Sequence, residues 1–117
     1  LFIHNVVEEA LQAALDKATI GTVASEVDNA ARKLIEVAGF GEYFVHRTGH
    51  GLGLEIHEPP YITSSSEIIL EEGMVFTIEP GIYMPGDFGV RLEEVVYLSK
   101  NGPRILSGLS RELFVID

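Results

Sequence analysis

The chain has 117 residues, 46% of them hydrophobic and 22% charged, with a formal net charge of −10 and no cysteine. That describes one small domain or a large piece of one, with enough apolar side chains for a core. It excludes disulfides, thiolate metal sites and cysteine nucleophiles, it argues against nucleic acid as a partner because phosphate contacts need clustered Lys and Arg, and no apolar run reaches the roughly 20 residues of a membrane span.

The surplus of carboxylates has two readings, a solvated acidic surface or a site that offsets its charge with cations. The lack of cysteine suits a reducing cytoplasm. Residues 1–15 carry neither the basic start nor the small-residue end of a signal peptide. The first residue is not methionine, and LFIHNVVEEALQAALDKA already reads as a helix in progress. The expectation is a chain cut from a longer protein.

In the first segment Ile3, Val7, Ala10, Leu11, Ala14 and Leu15 recur at helical spacing, with Glu8, Glu9, Gln12 and Asp16 between them. This predicts an amphipathic helix ending before Gly21. His4 on it reads as structural or exposed. In the second segment Val23, Val27, Ala30, Ala31, Leu34, Ile35 and Ala38 form another stripe. Thr22 is the expected N-cap and Gly39 the expected C′ residue. Glu26 and Asp28 come early and Arg32 and Lys33 late, as the helix dipole prefers. Both helices read as scaffold.

After Gly39 the helical period is lost. Short apolar runs at Tyr43–Val45, Val75–Ile78, Ile82–Met84, Val95–Leu98 and Phe114–Ile116 alternate with Pro59-Pro60, Glu72-Gly73, Pro80-Gly81, Pro85-Gly86 and Asn101-Gly102. These predict antiparallel strands joined by turns. Two helices followed by four or five strands predict an α+β fold, the helices covering one face of a curved sheet.

Three places carry chemistry-bearing side chains. His50 lies in Gly49-His50-Gly51-Leu52-Gly53, where glycines let backbone approach backbone or ligand closely. It is either a hydrogen-bonded loop histidine or an inward-aimed functional one. Glu79 ends the strand Val75–Ile78. If Val75, Thr77 and Glu79 share a face, Phe76 and Ile78 pack on the other and the carboxylate leaves the hydrophobic layer. It is otherwise an exposed strand-end glutamate. In Arg91-Leu92-Glu93-Glu94, alternation puts Arg91 and Glu93 on one face and Glu94 on the other. An arginine two residues from a carboxylate can hold it or a substrate in place, or form a surface ion pair of little consequence. One imidazole and two carboxylates together suit Mn²⁺, Co²⁺ or Zn²⁺. His46 and His57, four before and seven after His50, could hydrogen-bond a substrate carbonyl or a developing oxyanion.

HRTGHGLGLEIHEPP, EEGMVFTIEPGIY and GVRLEE, in this order, resemble the C-terminal part of a pita-bread metallopeptidase domain (peptidase M24). GVRLEE resembles the proline-specific branch, the Xaa-Pro aminopeptidases and Xaa-Pro dipeptidases (prolidases). The resemblance covers nearly the whole chain, both helices included, and implies that residues 1–117 are one piece of that domain. It implies a site of two divalent metal ions, Mn²⁺ first among them, held by two aspartates, one histidine and two glutamates. His50, Glu79 and Glu93 match the last three, with Glu93 bridging the metals and Glu79 also serving as general base. His57 matches the residue that steadies the tetrahedral intermediate, His46 a substrate-side histidine, and Arg91 a residue beside the bridging glutamate. Glu55 and Glu58 remain structural or outer supports.

Asp16, Asp28, Asp87 and Asp117 do not fit the paired aspartates of that family. The expectation is therefore a chain lacking the first half of the domain, binding metal weakly and inactive alone. It would self-associate, as a homodimer or a looser assembly, through surface left uncovered. Tyr61, where many dipeptidases of the family carry an arginine, leans towards an aminopeptidase acting on longer proline-containing peptides. The alternatives are a pita-bread module that binds peptides or proteins without catalysis, and a creatinase-like hydrolase.

Overall fold

The apolar stripes build two helices in the computed structural model, which describes residues 1–116. Asp117, one of the four aspartates weighed above, lies outside them. Helix α1 is Phe2–Lys17 and α2 is Ala24–Val37. Val7, Ala10, Leu11 and Ala14 meet Val27, Ala31 and Ile35 with no surface left exposed. The buried face of α2 is rotated from the expected stripe. Ala24 and Asp28 are buried, while Ala30, Leu34 and Ala38 are half-buried. His4 is buried.

The ends of α2 are handled differently from each other. Val23, not Thr22, occupies the N-cap, and no side chain caps it. The first amides of the helix instead donate to the chain crossing it: Ala24 N–H to the Ile68 carbonyl at 2.8 Å and Ser25 N–H to that of Ser66 at 3.3 Å. At the C-terminus Gly39 takes φ +94°. Its N–H bonds the Glu36 carbonyl, and Phe40 N–H bonds that of Ile35, the paired closure that a left-handed glycine permits.

Among the described residues seven strands follow: β1 (Gly49–Gly51), β2 (Glu58–Ile62), β3 (Val75–Ile78), β4 (Gly81–Met84), β5 (Phe88–Arg91), β6 (Glu94–Ser99) and β7 (Gly102–Ile105). Five form one sheet in the order β2-β1-β3-β6-β7, and β4 pairs with β5 as a separate hairpin. Every pairing is antiparallel. The fold is α+β, as expected, with more strands than the apolar runs showed. Two runs are not strands. Tyr43–Val45 begins in a short 3-10 turn, Gly41–Tyr43, and Phe114–Ile116 is exposed irregular chain. Pro59-Pro60 is not a turn; it lies inside β2, joined by a cis peptide bond.

The sheet has two faces. Ile62, Phe76, Ile78, Val96 and Leu98 are fully buried on the helix side. Tyr61, between Pro60 and Ile62, takes the opposite side by alternation. His50 stands directly across from Tyr61 in the β1–β2 register, and directly opposed residues share a face. Phe76 and Ile78 behave as the alternation of β3 predicted, so Glu79 leaves the strand on the side of His50.

Candidate active site

Glycine makes the first contact possible. A Cβ on Gly49 would land on the Thr77 carbonyl, and one on Gly51 on the carbonyls of Pro59 and Glu58. With hydrogen there instead, β1 is pressed between β2 and β3, and His50 is buried between them. Its N–H donates to Thr77 Oγ1 at 3.1 Å. Its Nδ1 lies 2.9 Å from the Gly51 carbonyl. A carbonyl only accepts, so Nδ1 carries a hydrogen, and in the neutral tautomer this leaves the lone pair of the ring on Nε2.

That lone pair points at Glu79. His50 Nε2 and Glu79 Oε2 are 3.3 Å apart, yet Oε2 is buried with no hydrogen-bond partner. The separation satisfies an ion-pair distance, but the geometry is not that of a hydrogen bond. Two acceptors facing each other repel unless a proton or a cation sits between them. Glu93 adds a third acceptor. Burial, followed by the charge of Glu79 and a shared hydrogen bond with it, pushes the Glu93 carboxyl above the usual range. Arg91, and His50 in its protonated form, pull it partly back.

His57 is exposed, and its ring meets that of His50 edge-on with centroids 4.3 Å apart. The 53–58 loop that carries it is closed by Glu55 N–H donating to Glu58 Oε1 at 2.9 Å, so Glu58 is structural. His46 stands in a neighbouring cluster. Its Nδ1 donates to the Arg47 carbonyl at 2.7 Å, so its Nε2 accepts from the Tyr83 hydroxyl at 2.8 Å. Phe44 packs edge-on against the same ring.

The structure therefore brings His50 to Glu79 and His57, leaves Glu93 and Arg91 within electrostatic reach of that pair, and sets His46 beside Tyr83. It differs from the expected strand register in one respect. Arg91 ends β5 and Glu94 begins β6, so Arg91 and Glu93 do not share a strand. Glu93 is exposed as a residue with only its carboxyl partly withdrawn from water, whereas Glu94 is buried and accepts from the Ser107 hydroxyl. Among the described residues no group of three or more His, Asp and Glu side chains already stands at metal-binding spacing. Tyr83 and Thr48 carried no site role in the sequence, and Asp28 stood there only as an early acid of the helix. Asp28 and Arg32 are four apart on a helix, a spacing that brings charges together, and that was the available signal.

The chemistry of the site fits a divalent cation. An imidazole whose Nδ1–H is fixed by a carbonyl and whose Nε2 faces an orphaned carboxylate oxygen has the form of a metal-binding pair. A second carboxylate, Glu93, lies close enough to feel the charge of the first, which Arg91 offsets only in part.

The family model described as metallopeptidase family M24 matches residues 2–100. The chain is 52% identical to the Xaa-Pro dipeptidase of Lactobacillus delbrueckii subsp. lactis over 114 residues, which are 97% of this chain and 31% of that protein. Its fold superposes on the prolidase of Pyrococcus horikoshii with a TM-score of 0.94 at 47% identity, covering 97% of this chain and 33% of the other. It superposes on the X-Pro aminopeptidase of Thermotoga maritima with a TM-score of 0.95 at 45% identity, covering 98% and 33%. The chain thus spans about a third of the length of these relatives. The motifs, the pita-bread sheet and these likenesses agree: the chain belongs to metallopeptidase family M24.

Proposed function

We propose that residues 1–117 are the C-terminal part of a pita-bread catalytic domain that hydrolyses the bond preceding proline, with His50, Glu79 and Glu93 as metal ligands. The observation that carries this is the His50–Glu79 contact, Nε2 at 3.3 Å from a buried carboxylate oxygen that makes no hydrogen bond. The mixed nitrogen and oxygen donors suit Mn²⁺, with Co²⁺ and Zn²⁺ as alternatives. Two divalent cations supply Lewis acidity, which lowers the pKa of water and polarises a carbonyl.

The residues of this chain do the rest. Glu79 takes a proton from the attacking water as the C–O bond forms. It returns that proton to the proline nitrogen as the C–N bond breaks, releasing the free amino acid and the proline product. His57, exposed beside His50, donates to the developing oxyanion. His46 exchanges its Tyr83 bond for one to substrate, and Arg91 steadies Glu93 and the bound peptide. Asp16 accepts from Gln12 at 2.8 Å, Asp28 is bound to Arg32, and Asp87 lies in the β4–β5 turn. None of these three joins the group, so the 117 residues alone bind metal weakly and do not turn over.

For the substrate, Arg47 modifies the lean from Tyr61. Its guanidinium lies 4.7 Å from the centre of the Tyr61 ring, on the face that Tyr61 shares with His50. A cation there favours a dipeptide with a free C-terminal carboxylate over a longer peptide, in keeping with the dipeptidase names of the relatives. The setting is a reducing cytoplasm, and the chain self-associates or dimerises.

The test is Mn²⁺-dependent cleavage by the protein at its full encoded length, comparing an Xaa-Pro dipeptide with an Xaa-Pro-Xaa tripeptide. Cleavage of the dipeptide alone supports the reading. Cleavage of the tripeptide alone makes it an aminopeptidase. Cleavage of neither makes it a binding module.

A further inference from the structure

Asp28 of α2 is fully buried. A buried carboxylate destabilises a fold unless its lone pairs are matched, and here four donors match it. Arg32 Nε reaches Oδ2 at 3.0 Å and Arg32 Nη2 reaches Oδ1 at 3.1 Å. The Thr48 hydroxyl donates to Oδ1 at 2.8 Å, and Thr48 N–H to the same oxygen at 3.2 Å.

The network continues into the site. Arg32 Nη1 donates to the Phe44 carbonyl at 3.0 Å and Nη2 to the His46 carbonyl at 2.9 Å. The Arg32 guanidinium also lies 4.1 Å from the centre of the Phe44 ring. The Thr48 carbonyl accepts from Glu79 N–H at 2.6 Å. One ion pair on a helix thus fixes the backbone at Phe44, His46 and Thr48, and Thr48 in turn fixes Glu79. Two residues beyond Thr48 is His50.

Stability alone does not call for this arrangement, since apolar residues of similar volume usually serve as well as a buried ion pair. We infer that Asp28 and Arg32 are positioning residues that, through Thr48, set the spacing of His50 and Glu79 for a divalent cation. This rests on the reading of His50 and Glu79 as metal ligands. Asp28 and Arg32 touch neither metal nor substrate. A planar guanidinium is required because a lysine cannot span a carboxylate and two carbonyls at once.

The experiment uses the protein at its full encoded length, titrated with Co²⁺ and followed by calorimetry and by the visible absorption of the bound ion. Asp28→Asn keeps the shape and removes the charge. It is expected to weaken Co²⁺ binding at least tenfold, to alter the absorption band, and to lower kcat for an Xaa-Pro dipeptide more than it raises KM. Arg32→Lys should lie between Asp28→Asn and the parent. Should Asp28→Asn not fold, Thr48→Val and Thr48→Ser decide: the valine is expected to weaken Co²⁺ binding and the serine, which keeps the hydroxyl, to restore it. A lowered Tm with Co²⁺ affinity and spectrum unchanged in Asp28→Asn or Thr48→Val overturns the inference. His50→Ala separates the two claims. Normal Co²⁺ binding in His50→Ala removes the ligand assignment and this inference with it, whereas loss there beside normal binding in Asp28→Asn removes this inference alone.

Discussion

At the scale of single residues the site is a problem of unmatched acceptors. His50 Nε2, the buried oxygen of Glu79 and the carboxyl of Glu93 converge. In the metal-free protein this convergence opposes folding. The Glu93 carboxyl is raised by burial first and by Glu79 second, so it ionises less readily folded than unfolded. The sign follows. Below the unfolded pKa of about 4.3 both states are protonated and no penalty exists. That favourable state is lost as pH rises through the raised folded pKa. Glu93→Gln is therefore expected to stabilise the chelator-treated protein at pH 7 and not near pH 4. The gain is modest, on the order of 0.5 kcal/mol, because Glu93 is largely solvent-screened. Thermal melts at the two pH values check this, and equal melts for parent and variant at pH 7 would count against it. In the metal-loaded protein the same variant should be less stable.

Arg47 gives a second prediction at this scale. Arg47→Ala is expected to raise KM for an Xaa-Pro dipeptide by about tenfold or more, since a hydrogen bond to a charged group contributes about 1.5–3 kcal/mol. The C-terminal amide of the same dipeptide should be unaffected. Steady-state kinetics on the two substrates at full encoded length checks it, and an equal loss on both would show a structural role for Arg47.

At the scale of elements, legibility followed periodicity. Strand β3 was readable because Phe76 and Ile78 alternate with Thr77 and Glu79, and both helices were readable from their stripes. Strands β1 and β2 were not. Gly49-His50-Gly51 has no apolar alternation, and Pro59-Pro60 reads as a turn although it lies within β2. Their pairing is decided by close backbone approach, which leaves no hydropathy signal. The motifs still singled out His50, Glu79 and Glu93 as chemistry-bearing, because such side chains stand out even where the strand does not. Asp28 and Thr48 escaped because their partner is distant in sequence, 20 residues away. The close approach is itself testable. Gly49→Ala forces a Cβ onto the Thr77 carbonyl and is expected to cost about 2–4 kcal/mol. Chemical denaturation measures it, and a change below about 0.5 kcal/mol would mean that β1 and β3 are less tightly apposed than described.

At the scale of the whole molecule, apolar surface remains uncovered. Leu54, Val37 and Val115 are exposed at 104%, 81% and 81%. A groove of about 530 Å³ between α1 and α2 is lined by Phe2, Val6, Leu34 and Val37. Apolar surface of this kind favours association. Sedimentation of the 117-residue chain is expected to show concentration-dependent association, and a single monomeric species at high concentration would contradict it. No helix among the described residues is long and apolar enough to cross a membrane.

The central claim is that His50 and Glu79 are built to share a cation. The most direct measurement is Mn²⁺ affinity by calorimetry for the protein at its full encoded length, against His50→Ala and Glu79→Gln. The account predicts tight binding by the parent and at least a hundredfold loss in each variant, with the circular dichroism spectrum unchanged. Binding that survives both substitutions would place any metal elsewhere and leave the facing lone pairs without a role.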